Sequence, residues 1–259
     1  MSQPLSCTTT EMMTVAAARR LRNGVVCFVG IGLPSTAANL ARLTHAPDIV
    51  LIYESGPIGA KPSVLPLSIG DGELADTADT VVSTAEIFRY WLQGSRIDVG
   101  FLGAAQVDKF GNINTTVIGP YDKPVVRLPG AGGASEIASL ARDVFIVLQQ
   151  SRRTFVEKVD FITSAGYLDG GDARARLNLP GNGPAAIITD LCIMEPEAGS
   201  REFVVTHLHP GVTREKVVEN TGWAVRFASQ VVETDAPSEP ELMTLRALLQ
   251  RTAEAHAKM

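Results

Sequence analysis

Val25-Val26-Cys27-Phe28-Val29 is a continuous apolar run, and Gly30-Ile31-Gly32-Leu33-Pro34-Ser35 follows it directly. A run without polar alternation reads as a strand buried on both faces. Ser35 to Leu43 then predicts a short helix, and Ile49 to Tyr53 a second apolar strand. A strand, a helix and a strand within about 30 residues make a βαβ unit, and the right-handed crossover of such a unit implies parallel strands.

Upstream of this unit, Glu11 to Arg22 predicts a helix, with Thr10 or Thr9 as N-cap, apolar Met12, Val15, Ala16 and Leu21 near helical spacing, and Asn23-Gly24 as the stop. The alternation returns downstream: a helix at Thr84 to Gln93, a strand at Ile97 to Leu102, a helix at Ser135 to Arg142 and a strand at Val144 to Leu148. Ala185 to Met194 and Phe203 to Thr206 read as later strands. Thr213 to Asn220 and Glu239 to His256 read as helices, the last one amphipathic. The expected class is therefore α/β, an open, mainly parallel sheet flanked by helices. With no repeat, no low-complexity tract and no linker long enough to force a domain boundary, residues 1–259 read as a single domain. Pro57 to Thr80 and Gly103 to Pro129, rich in Gly, Pro, Asp and Asn, are too long for simple connections and predict functional loops or short hairpins.

A formal charge of −5, with Lys and Arg scattered, argues against a nucleic-acid partner. No apolar run reaches the ~18 residues of a membrane span, and residues 1–6 lack a charged segment followed by an apolar one. The expectation is a cytoplasmic protein with no membrane partner. Cys7, Cys27 and Cys192 are odd in number and far apart, which speaks against a disulfide framework, and the two in apolar runs read as small buried hydrophobes. His207 and His209 share a strand face but have no acidic or thiol neighbour at ligand spacing, so no metal is expected.

Ligands of an open parallel sheet gather at the carboxyl ends of its strands, and two glycine turns and one carboxylate stand there. Gly30 and Gly32, with Glu54 at the end of the next strand, nearly form a dinucleotide fingerprint. Ser35 replaces its third glycine, however, and Pro34 restricts the turn. Gly130-Ala131-Gly132-Gly133-Ala134 leads into a helix, and its glycines let main-chain N–H groups face an oxygen unobstructed, or simply make a tight turn. Glu54, in Tyr53-Glu54-Ser55-Gly56-Pro57, either caps a strand end or, partly desolvated, attacks an activated acyl group or moves a proton.

Taken in order, Gly30-Ile31-Gly32-Leu33-Pro34, Glu54-Ser55-Gly56 and Gly130-Ala131-Gly132-Gly133-Ala134 resemble the B (beta) subunits of class I coenzyme A transferases, over about Glu11 to Asn220. Tyr53 to Pro62 and Leu102 to Asp108 are most similar to the 3-oxoadipate branch, with the glutaconate branch as near relative. The resemblance implies a homologous A (alpha) subunit in an A2B2 heterotetramer, with the active site between the two kinds of chain. It also implies Glu54 as catalytic glutamate, and residues Gly130, Ala131, Gly132, Gly133 and Ala134 as the loop around the thioester oxygen. Ser55, Gly56, Gly30 and Gly32 are the supporting turns. Where the wider class has Ser-Glu-Asn-Gly, Tyr53 and Ser55 flank the glutamate here, as in the glutaconate branch.

The implied reaction moves CoA from succinyl-CoA to 3-oxoadipate through a glutamyl-CoA thioester, late in aromatic-compound degradation. The substrates are acyl-CoA and dicarboxylic or 3-oxo acids, and no cofactor is bound permanently. The alternatives are a glutaconate-type transferase, an acyl-CoA hydrolase or decarboxylase on the same scaffold and, remotely, a pyridine-nucleotide dehydrogenase. Lys61, Arg89 and Arg127 lie in or near the candidate loops without marking any one of them as the cation for a second carboxylate. Gln106 and Asn112-Ile113-Asn114 either touch substrate or make turns.

Overall fold

The computed structural model describes residues 6–258, which fall into two compact units, residues 6–101 with 236–258 and residues 102–235. Each is an α/β assembly in its own right.

In the first unit, helix α1 (Thr9–Arg19) starts at a capping box: Thr8 accepts from the Glu11 N–H, and Glu11 reaches back to the Thr8 N–H. The N-cap is thus Thr8, one or two residues earlier than expected, because the Glu11 carboxylate selects the residue three before it. Strand β1 (Val26–Phe28), helix α2 (Leu33–Leu43) and strand β2 (Val50–Ile52) form the βαβ unit, and Val26 pairs with Val50 in a parallel register. The long segment after β2 contains β3 (Pro57–Ile58), α3 (Gly72–Asp76) and β4 (Thr80–Val81), a short antiparallel extension. Strand β5 (Val99–Leu102) lies parallel on the other side of β1, so β1 and the helix-covered core sit between two parallel neighbours. The C-terminal helix Glu239–His256 packs against α1 and α2, burying Leu242, Leu245 and Leu248. Two ion pairs join it to α1: Arg19 Nη2 lies 2.7 Å from Glu241, and Arg246 Nε 2.6 Å from Glu11.

The expected helix from Thr84 to Gln93 is α only over α4 (Thr84–Glu86) and continues as a π-helix, Ile87–Leu92. Its wider turns bring the Gln93 N–H to the Phe88 carbonyl at 2.9 Å, and both Ile87 and Leu92 are buried.

The second unit opens with two hairpins, β6 (Gln106–Val107) with β7 (Ile113–Asn114) and β8 (Val117–Ile118) with β9 (Val126–Arg127), so the second long loop also holds short hairpins. Helix α5 (Ala134–Leu140) leads to β10 (Asp143–Val147), and the short helix α6 (Ala173–Arg176) precedes β11 (Pro184–Ile188), which runs parallel to β10. The stretch expected as one strand, Ala185 to Met194, turns at residues 189–191 and returns as β12 (Cys192–Pro196), antiparallel to β11. Thr189 makes the turn: its hydroxyl accepts from the Leu191 and Cys192 N–H groups. Then follow β13 (Phe203–Leu208), α7 (Arg214–Glu219) and β14 (Arg226–Glu233), the last parallel to β13. The parallel heart of each unit is bordered by antiparallel pairs.

Arg174 on α6 is buried and has no acidic partner among the described residues. Its guanidinium donates to the carbonyls of Ala138, Ala165, Gly166 and Gly181 at 2.9–3.1 Å. Gly183, at φ +89°, makes room for it; a Cβ there would lie 3.0 Å from Arg174 Cδ.

Candidate active site

Glu54 stands at the tip of the β2–β3 hairpin, where Ile52 faces Ile58. The Gly56 N–H donates to the Tyr53 carbonyl at 3.0 Å and the Tyr53 N–H to the Pro57 carbonyl at 3.1 Å, closing a three-residue connection. Gly56 has φ +124°, and a Cβ there would lie 2.0 Å from the Val82 carbonyl oxygen, so only glycine fits. The Ser55 hydroxyl donates to the Ile69 carbonyl. Each turn residue beside Glu54 is therefore held, while its own carboxylate, half-buried, has no hydrogen bond or ion pair to any described residue.

Behind this turn lies a buried polar cluster that sequence reasoning missed. The Tyr53 hydroxyl is 3.0 Å from Ser35 Oγ, and Asn39 Nδ2 donates to the Ser35 carbonyl at 2.9 Å. Asn39 Oδ1 accepts from Arg42, whose Nη2 also donates to the Pro62 carbonyl at 2.8 Å. Burial raises the Tyr53 pKa, so the phenol stays neutral. The cluster ties α2 to the end of β2, just before the glutamate. It also explains Ser35 at the third-glycine position of the fingerprint: its hydroxyl bonds a tyrosine, and the turn is organised around that contact. Gly32 caps α2 at φ +82°, and a Cβ at Gly30 or Gly32 would meet nothing within 4 Å. The only sequence-level signal for the cluster was that departure from glycine.

Residues 130–134 belong to the second unit. The Gly130 N–H donates to the Thr115 carbonyl at 2.8 Å, the Thr115 hydroxyl returns to the Gly130 carbonyl, and the Ala134 N–H donates to the Ala131 carbonyl at 2.9 Å. The N–H groups of Ala131, Gly132 and Gly133 have no acceptor among the described residues. Gly130 and Gly132 have φ of +102° and +49°, and a Cβ on either meets open space. The loop is fixed at its two ends and keeps three consecutive donors unspent, an arrangement suited to an anionic oxygen.

Most of the remaining sequence candidates are engaged elsewhere. Lys61 pairs with Asp79 at 2.6 Å, and Arg127 donates to the Tyr121 carbonyl while lying over that ring. Arg89 is exposed on the π-helix. Gln106 Oε1 accepts from Asn114 Nδ2 at 2.7 Å, and its Nε2 donates to Asp160 at 2.9 Å, whereas Asn112 binds Asp108 and the backbone around residues 166–168. These amides stitch loops together. Burial pushes the Cys192 thiol up to about 12 and raises Cys27 as well, so both stay protonated. His209 is buried, between the Thr189 carbonyl at 2.8 Å and the Thr234 hydroxyl at 3.1 Å, and burial lowers its pKa.

The coenzyme A transferase family model matches residues 10–220. The chain belongs to that family. It is 78% identical to the B subunit of 3-oxoadipate CoA-transferase from Pseudomonas knackmussii, over 96% of each chain. It is 35% identical to the B subunit of glutaconate CoA-transferase from Acidaminococcus fermentans, over 92% of this chain and 91% of the relative. The crystal structure of glutaconate coenzyme A-transferase from the same organism superposes with a TM-score of 0.87 at 34% identity, covering 94% of this chain and 95% of that one. No helix among the described residues is long and apolar enough to cross a membrane.

Proposed function

We propose that residues 1–259 act as one B subunit, paired with a homologous A subunit in an A2B2 heterotetramer in the cytoplasm, and move CoA from succinyl-CoA to 3-oxoadipate. Membership of the transferase family and high identity to a relative named for that substrate support the reading. The observation that carries its chemistry is the unpartnered Glu54 carboxylate on an otherwise saturated turn.

In this reading Glu54 attacks the thioester carbonyl of succinyl-CoA. The carbonyl π electrons move to oxygen, and collapse of the tetrahedral species breaks the C–S bond, leaving a succinyl-glutamyl anhydride and CoA thiolate. The thiolate then attacks the glutamyl carbonyl, releasing succinate and leaving glutamyl-CoA. The acceptor carboxylate runs the same steps in reverse, so kinetics are ping-pong. No resident cofactor takes part, because the CoA thioester is itself a substrate. The N–H groups of Ala131, Gly132 and Gly133 are assigned as donors to the acyl oxygen, each such donor contributing about 3 kcal/mol. Gly130 and Ala134 shape the loop, since their own N–H groups are already bonded.

The test is peptide mass spectrometry of the chain purified with its A subunit, after incubation with succinyl-CoA and no acceptor acid. A CoA adduct on the peptide containing Glu54 is expected. Hydrolysis of succinyl-CoA without an adduct would instead assign a hydrolase.

A further inference from the structure

A cavity of about 520 Å³ opens in the second unit, within the range of roughly 300–1,000 Å³ usual for small-ligand sites. Ile118, Val126, Leu128 and Val156 give it apolar walls, and Arg152 and Arg153 are its charged residues; among the described residues no carboxylate lines it. Gln106 also borders it, with its amide committed to Asn114 and Asp160.

The two arginines sit on the turn after β10, at the carboxyl end of a parallel strand, where ligands collect. The turn is firmly built. The Phe155 N–H donates to the Ser151 carbonyl at 2.7 Å, the Thr154 hydroxyl to the Gln149 carbonyl at 2.9 Å, and Phe155 stacks on Trp223. Arg152 is tethered through Nε to the Glu219 carbonyl at 2.9 Å. Arg153 has no hydrogen-bond or ion-pair partner among the described residues. Leu128, which also lines the cavity, stands two residues before Gly130 in the chain, at the start of the loop whose central N–H groups are unspent.

An unpartnered guanidinium in a cavity with apolar walls, one of which leads in the chain to donors suited to an acyl oxygen, offers each kind of contact that an α,ω-dicarboxylate needs. We infer that Arg153 holds the far carboxylate of the acid that receives CoA and so selects dicarboxylates over monocarboxylates. The inference rests on the transferase reading above and adds to it the residue that sets substrate class. A guanidinium suits the task because it offers paired donors to a carboxylate and stays charged at every working pH.

The experiment uses the A–B holoenzyme with Arg153→Met, Arg153→Lys and, for comparison, Arg152→Met. Acceptors are 3-oxoadipate and 3-oxohexanoate, which has a methyl in place of the far carboxylate. Arg153→Met is expected to raise KM for 3-oxoadipate about 10- to 100-fold, as loss of a charged hydrogen bond would. The same variant lowers kcat/KM for 3-oxohexanoate far less, so the preference for 3-oxoadipate over 3-oxohexanoate falls by about the same factor. Arg153→Lys recovers part of the loss, and Arg152→Met moves the acceptor ratio less than Arg153→Met. An equal fall with both acceptors, or no change with either, overturns the assignment. Wild-type enzyme that fails to transfer CoA to 3-oxoadipate overturns the substrate reading itself, before any variant is compared.

Discussion

The turn that carries Glu54 and the loop at residues 130–134 solve opposite problems with the same residue type. Around Glu54 the backbone is saturated: Gly56 is locked under Val82, Ser55 is tied to Ile69, and what remains free is a side chain. In residues 130–134 the anchors lie at the ends, and what remains free is the backbone. Glycine provides close approach in the first case and unobstructed N–H groups in the second. The unspent group in each place is the one that the proposed chemistry needs.

Predictions that break this contrast can be ranked by size. Glu54→Gln removes the nucleophilic carboxylate almost isosterically. Turnover should fall by about four orders of magnitude or more, with an unchanged melting temperature in the A–B holoenzyme; wild-type-like turnover would remove Glu54 from the mechanism. Gly56→Ala should destabilise by about 3 kcal/mol or more through steric conflict and backbone strain, and a urea titration measures it. Activity should fall with it, because the hairpin tip must move. Gly132→Val should cost only about 1–2 kcal/mol, the penalty for a side chain at positive φ, since its Cβ meets open space. Turnover should nevertheless drop roughly 10²-fold if the loop's donors act on the acyl oxygen. Stability lost without turnover would make the loop a tight turn and nothing more.

The smallest effect separates acid unfolding from acid inactivation. The hydrogen bond from Arg246 holds the Glu11 carboxyl at about 2. Burial pushes Glu241 up, but the bonds from Arg19 and Ser238 outweigh it and bring it to about 2 as well. A lowered folded-state pKa gives stability that is complete above the unfolded value near 4.5 and is lost as pH falls towards 2. Each pair is partly exposed, so solvent screening keeps its contribution small. Between about pH 6 and pH 3, the urea midpoint of wild type should fall more than that of a Glu11→Gln/Glu241→Gln variant.

The parallel core was legible because buried strands are written as unbroken apolar runs, as in residues 25–29 and 49–53, with helices of the right length between them. Strand β14 was not, because Arg-Phe-Ala-Ser-Gln-Val-Val-Glu is largely exposed and pairs on one side only, so it carries no such run. The π-turns at residues 87–92 were hidden for another reason: hydrophobic spacing marks a helix more clearly than it marks the turn's width. Glu54 and the two glycine turns could be picked out as candidates by type and position. The Ser35–Tyr53–Asn39–Arg42 cluster and the contrast between engaged Lys61 and unengaged Arg153 depend on which side chains meet, which no local pattern records.

Arg174 gives the second unit what other proteins obtain by capturing a metal ion: a positive centre that gathers carbonyl oxygens from separate stretches of chain. This centre is part of the polypeptide, so no chelator extracts it, and a guanidinium keeps its charge across the range in which histidine or carboxylate ligands would titrate. The segments around residues 138, 165 and 181 are thus gathered by a resident ion that is synthesised with the protein and cannot dissociate from it.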